Sequence, residues 1–282
     1  MERLEGSFFA YDDSELFYQV WRPEGESRGS VIVTHGMAEH SECYHDLATS
    51  LVEDKWTVYA WDLRGHGRSE GKRGYVRDFN EFRRDLENFI GHVKSLEASD
   101  HRVRFLLGHS MGGLIQLQLL LENPPQGIKA FIFSSPALGL SLHIPDLKRK
   151  SAELLSKWVP RISLYNEIKY EDLHRNSEKI REYKADPLRH EKISPGLFIG
   201  MLDAMAEVKN RAEELHQNIL FQLSGDERIC DAPAAEAVFE KISSKTKKLI
   251  IYPDSLHEIY VDNDRQQVIH DLKFYMKEYE GQ

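Results

Sequence analysis

The chain should fold as an α/β protein: a mostly parallel sheet with helices on both faces and a helical insertion over one edge. Three observations predict this. Short apolar runs with β character alternate with stretches of helical apolar spacing, first up to residue 134 and again from 219 onward, which is the pattern of βαβ units. Between 137 and 210 the alternation stops, and helical segments are broken by Pro145, Pro160, Pro187 and Pro195. Finally, Gly108-His109-Ser110-Met111-Gly112 reads G-x-S-x-G and sits where a strand must turn sharply into a helix.

Taken in order, residues 7–11 and 16–21 alternate as a hairpin around Asp12-Asp13. Val31-Ile32-Val33 within 29–34 reads as a buried strand, 44–53 as a helix and 56–62 as a second strand. The loop 64–71 follows, and Phe82, Leu86, Phe89, Ile90 and Val93 give 79–96 a helical stripe. Val103, Phe105, Leu106 and Leu107 lead into the serine turn, and 113–121 has helical spacing. A strand is expected at 130–133. After the insertion come a strand at 219–223, a helix at 232–242, a strand at 248–252 and a helix at 265–279. The expected division is a core of 1–136 and 211–282, with a helical cap at 137–210 over the C-terminal edge of the sheet. In open α/β sheets that edge is where ligands bind.

The bulk properties exclude several classes. The 282 residues carry a net charge of −9, which argues against nucleic acid as a partner. Cys43 and Cys230 are the only cysteines, too few for a disulfide framework, so a reducing compartment is the default. The start, Met1-Glu2-Arg3-Leu4-Glu5-Gly6, lacks the basic and then apolar run of a signal peptide. No apolar run approaches the roughly 20 residues of a membrane span. The expectation is a cytoplasmic protein. The 13 histidines are scattered with no H-E-x-x-H pair, so neither metal nor cofactor is expected.

A serine hydroxyl is a poor nucleophile near neutral pH and needs a base, which in turn needs a third group to orient it. On a serine-bearing turn of this kind the chain order is serine, acid, histidine. His257 lies just beyond the last strand. Asp226 and Glu227 follow the strand before it, and both are candidates for the acid. An oxyanion hole needs two backbone N–H donors. Met111, after the serine, is one candidate. Met37, in the His35-Gly36 loop after the strand at 29–34, is the other. The loop 64–71 is rich in glycine and basic residues but lacks the spacing of either nucleotide fingerprint, so it reads as a structural turn with His66 packed in it.

These motifs together resemble the monoacylglycerol lipase and lysophospholipase branch of the α/β-hydrolases. The resemblance rests on His35-Gly36 with Glu39-His40, on 62–71, on 108–113, on Asp186-Pro187-Leu188, and on Tyr252-Pro253 before His257-Glu258. It covers nearly the whole chain and is weakest between 138 and 183. It implies Ser110 as nucleophile, His257 as base, and the Met37 and Met111 amides as oxyanion donors. Relatives commonly carry an aspartate directly before the arginine of the acid loop. Here Glu227 precedes Arg228, and the gapless register makes it the first choice. Asp226 is the second choice, shorter and chemically commoner, but it needs the loop shifted by one residue.

In the insertion, Leu138, Leu140, Leu142, Ile144, Leu147, Leu154, Leu155, Trp158 and Val159, then Leu197, Phe198, Ile199, Met201, Leu202 and Met205, supply apolar surface. They serve either as a cap core or as an acyl channel, and the resemblance favours the channel. Lys148, Arg149, Lys150, Lys157 and Arg161 form a basic strip. It is either a solvated helix face or the basis for transient, peripheral contact of the cap with an anionic membrane surface. The expected function is hydrolysis of a single-chain lipid ester, a monoacylglycerol or lysophospholipid, through an acyl-enzyme. The alternatives are a short-chain carboxylesterase or thioesterase, and last a non-catalytic binding protein on the same fold.

Overall fold

The computed structural model describes residues 1–97, 103–141 and 146–279. In chain order the strands are β1 (Glu2–Phe9), β2 (Glu15–Arg22), β3 (Gly29–Thr34), β4 (Trp56–Trp61), β5 (Val103–His109), β6 (Ala130–Ser134), β7 (Leu164–Tyr165), β8 (Lys192–Ile193), β9 (Ile219–Ser224) and β10 (Lys247–Tyr252). The helices are α1 (His45–Glu53), α2 (Asn80–Leu96), α3 (Met111–Glu122), α4 (Asp146–Trp158), α5 (Ser177–Ala185), α6 (Pro195–Arg211), α7 (Ala232–Lys241) and α8 (Arg265–Lys277).

One sheet has the order β1-β2-β4-β3-β5-β6-β9-β10. β1, β2 and β4 pair antiparallel, and from β4 to β10 every pairing is parallel. β3 and β4 are continuous apolar or small-residue runs because they are buried on both faces. Side chains alternate across the sheet. Val31, Val33, Phe105 and Leu107 join the core beneath α1 and α8. Ile32, Leu106, Phe131 and Phe221 join the opposite core with α2, α3, α6 and α7. Each such side chain, fully buried, contributes about 1.5–3 kcal/mol of apolar burial. α3 is buried from Met111 to Leu120, as expected of a helix apolar on all sides. It lies against the sheet, α2 and α6.

The structure departs from the sequence expectations in two places. β1 begins at Glu2 rather than at residue 7. As an edge strand with both faces mostly exposed, it carries no apolar alternation to reveal it. Within 137–210, where no strand was expected, β7 and β8 pair antiparallel. Two residues are too few to show a period of two. α6 sits at the end of that segment, yet its buried face of Leu197, Met201, Met205 and Val208 belongs to the core that also holds α3. Leu142, Ile144 and Pro145, with the side chains of Leu147, Lys148 and Arg149, lie outside the described residues.

Candidate active site

The parallel strands bring the ends of β3, β5, β9 and β10 to one edge of the sheet. Ser110 leaves β5 with φ +51° and ψ −119°, a region that L-residues rarely occupy and that persists only when the surroundings enforce it. They do so through three hydrogen bonds. Ser110 N–H donates to Ser134 O at 3.0 Å, while Ser110 O accepts from Leu114 N–H at 3.2 Å and Ala137 N–H at 3.0 Å. The turn leaves no room for side chains at its glycines. A Cβ on Gly112 would lie 2.2 Å from Thr34 O, and one on Gly36 would lie 3.1 Å from Ser110 Cβ. The loop after β3 is therefore packed directly on the serine turn.

That loop carries Met37. Its shape is set by Gly36 N–H donating to Glu39 Oε2 at 3.1 Å, by Tyr44 Oη donating to the same oxygen at 2.9 Å, and by Ala38 in the left-handed region at φ +66°. Met111 is the first residue of α3, so its N–H has no acceptor within the helix. His109, inside the turn, is buried. Its Nδ1 lies 3.1 Å from both Ser134 O and Ser134 Oγ. Burial, reinforced by nearby His257, pushes its imidazole down to about 3, so it stays neutral.

His257 and Glu227 meet at the ends of β10 and β9. His257 Nδ1 donates to Glu227 Oε2 at 2.8 Å, and both side chains are almost wholly buried. A carboxylate only accepts, so the proton sits on Nδ1 and the lone pair on Nε2. Glu227 Oε1 accepts from Ile229 N–H at 2.9 Å and Cys230 N–H at 3.1 Å. Burial alone would lower the His257 pKa. The carboxylates of Glu227, foremost, and of Glu258 and Glu39 together outweigh it, and the imidazole ends above its ordinary value. Burial alone would raise the Glu227 pKa. The His257 charge and hydrogen bond, with the two amides, hold it below the ordinary carboxylate value.

Asp226 is elsewhere. It is exposed and accepts from Arg228 Nη2 at 2.8 Å and Arg175 Nη2 at 2.6 Å. It makes no hydrogen bond to His257, whose carboxylate partner is its sequence neighbour Glu227. The loop 64–71 is likewise committed to structure. Arg64 is held by Asp85 and by Asp12, and His66 is buried with Nδ1 3.0 Å from Arg64 O. Among the described residues no group of three or more His, Cys, Asp or Glu is placed to hold a metal.

Ser110, Met37, Met111 and His257 line one cavity of about 330 Å³. The apolar residues of the insertion divide over three roles. Leu140, Leu155 and Phe198 line the cavity, and Met201 both lines it and packs in the core. Leu138, Leu197 and Met205 pack in the core. Leu154, Trp158 and Val159 are exposed. Sequence reasoning missed the lining supplied by Ile168, Tyr170 and Cys230. Ile168 stands in irregular chain and Tyr170 opens a three-residue 3-10 turn, both too short of periodicity to mark an inward-facing residue.

The family model described as serine aminopeptidase, S33, matches residues 25–264. The chain is 31% identical to the monoacylglycerol lipase of Mycolicibacterium smegmatis over 273 residues, 96% of this chain and 95% of that one. It is 33% identical to the monoglyceride lipase of Rattus norvegicus over 251 residues, 88% and 82% of the two chains. The crystal structure of the Paleococcus ferrophilus monoacylglycerol lipase superposes with a TM-score of 0.81 at 28% identity, covering 98% of each chain.

Proposed function

Because the chain belongs to the serine aminopeptidase S33 family of α/β-hydrolases, we propose that it is a carboxylic ester hydrolase acting on single-chain lipid esters, monoacylglycerol first. The relatives named as monoacylglycerol and monoglyceride lipases, aligned over most of both chains, support the substrate. The observation that carries the mechanism is the buried 2.8 Å hydrogen bond from His257 Nδ1 to Glu227, with His257 and Ser110 lining the same largely apolar cavity.

In the proposed mechanism Ser110 Oγ attacks the ester carbonyl carbon as its proton passes to His257 Nε2, and the amides of Met37 and Met111 hold the oxyanion. The bond to the glycerol oxygen then breaks. His257 returns the proton to that oxygen, and glycerol leaves behind an acyl-Ser110 ester. Water attacks this ester while giving a proton to His257. The fatty acid departs, and Ser110 regains its proton. Glu227 keeps the imidazole in the productive tautomer and stabilises its charged form.

The exposed strip of Leu154, Trp158, Ile162 and Tyr165, with the exposed cations Lys150, Lys157 and Arg161 beside it, adjoins Leu155 and Leu164 of the cavity wall. This supports transient docking of the segment on a lipid surface, where substrate resides. Among the described residues no helix is long and apolar enough to cross a membrane.

The test is a fluorophosphonate probe, expected to label Ser110 stoichiometrically, followed by a panel of monoacylglycerols, lysophospholipids, diacylglycerols and acyl-CoAs against a Ser110→Ala control. Folded protein that neither labels nor turns over a monoacylglycerol would overturn the proposal. Trp158→Asp should weaken binding to anionic vesicles while turnover of p-nitrophenyl butyrate stays within about twofold, as for a surface substitution.

A further inference from the structure

The two loops that bear Glu227 and His257 belong to different strands, and their relative position sets the hydrogen bond between them. A single side chain from the insertion grips both. Arg175, between α4 and α6 in the chain, donates from Nη2 to Asp226 Oδ2 at 2.6 Å, on the residue immediately before Glu227. From Nη1 it donates to Asp262 Oδ2 at 2.9 Å and to Asp254 O, one residue on each side of the turn that presents His257. Its own N–H donates to Asp262 Oδ1 at 2.9 Å.

Asp262 is fully buried, and its Oδ2 also accepts from Leu256 N–H at 2.7 Å, next to His257. Two residues before Arg175, Leu173 O accepts from Glu258 N–H at 2.8 Å, on the other side of His257. Asp226 N–H donates to Ser255 O at 3.1 Å, joining the two loops directly. The guanidinium closes this set as a fork reaching three acceptors in fixed directions, which an ammonium cannot reproduce.

We propose that Arg175 is a positioning residue for ester hydrolysis: it clasps the Asp226 and Asp254–Asp262 loops so that Glu227 and His257 stay in hydrogen-bonding register. The proposal rests on the roles given above to Glu227 and His257. It also gives Asp226 a task, as the outer post of the clasp. Displacing a positioned catalytic group by about 1 Å can cost on the order of 10²-fold in rate, so a clasp acts on turnover rather than on substrate binding.

The experiment compares Arg175→Ala, Arg175→Lys, Asp226→Asn and the double variant with Glu227→Gln as reference. Arg175→Ala should lower kcat by about 10- to 100-fold with KM within about twofold. His257 is faced by Glu227, Glu258, Glu39 and His109, and among these Glu227 raises its pKa most. A loosened Glu227 contact therefore moves the acid limb of kcat/KM to lower pH, which a loss of fold alone does not do. Added guanidinium should restore part of the Arg175→Ala rate, and Arg175→Lys should fall in between. Asp226→Asn should cost less than about tenfold in kcat and nothing further in the Arg175→Ala background.

Wild-type kcat and pH profile in Arg175→Ala would overturn the proposal. If Arg175→Ala does not fold, Arg175→Lys and Asp226→Asn decide. A shifted acid limb at constant KM supports the clasp, and unchanged profiles in both overturn it. If Glu227→Gln itself retains full activity, the role given to Glu227 falls, and the clasp with it. If Glu227→Gln collapses while the Arg175 variants match wild type, the clasp alone falls.

Discussion

At Glu227 both carboxylate oxygens are occupied from inside the protein, one by His257 and the other by the amides of Ile229 and Cys230. At Asp226 both partners are surface guanidinium groups. Glu227→Gln should therefore lower kcat by about 10³- to 10⁴-fold, the scale of a lost orienting carboxylate, against less than about tenfold for Asp226→Asn. The pH profile follows from the same contact. The proposed base, His257, works only when neutral, and the carboxylates around it, Glu227 foremost, hold its pKa above its ordinary value. Activity should thus be full at higher pH and fall away as pH drops through an acid limb lying above about 6.5, the free histidine value. In Glu227→Gln the residual activity should show that limb moved down. Ser110 and His257 were legible because each ends a strand that announces itself by apolar residues. For the acid the gapless register put Glu227 first and Asp226 second, and which of these adjacent carboxylates reaches His257 depends on where the chain turns between them.

The serine turn is an element whose geometry rests on missing side chains. Gly112→Ala would drive a methyl against Thr34 O and His35 O, at 2.2 Å and 2.5 Å. The backbone of β3 cannot yield without disturbing Met37. This variant should lose about 3 kcal/mol or more, read as a lowered urea midpoint, together with ester turnover. Leu155 of α4 and Phe198 and Met201 of α6 line the cavity. Leu155→Trp should fill acyl space. A substrate panel should then show kcat/KM for long-chain monoacylglycerols falling by at least tenfold relative to short-chain esters, about 1.4 kcal/mol of lost binding. The sequence marked Leu197 to Met205 as apolar surface, either cap core or acyl channel, but it could not say which of these residues face the core and which the cavity. Leu197 and Phe198 are adjacent in sequence, and one is buried in the core while the other lines the site.

Over the whole molecule, the antiparallel β1–β2 hairpin is tied to the parallel sheet by buried charge. Arg64 donates to Asp85 Oδ2 at 2.6 Å and Oδ1 at 2.7 Å, and to both oxygens of Asp12 at 3.1 Å. Asp85 is fully buried. Arg64→Ala would strand that carboxylate and should cost about 3–5 kcal/mol, measured by denaturant unfolding, without touching a residue of the cavity. Nothing in the local pattern around Arg64 foretells this, because its partners lie 52 and 21 residues away. By itself the sequence determined the α/β class, the alternation of strands and helices along the chain, the serine turn and the histidine after the last strand. Each of these follows from apolar periodicity or from a glycine that local geometry demands. Only the tertiary structure decided that Glu227 and not Asp226 meets His257, which insertion residues face the cavity, and that Arg175 bridges two loops 51 and 87 residues away. Those outcomes depend on where separate strands end relative to one another, and packing across the sheet sets that position where local pattern cannot.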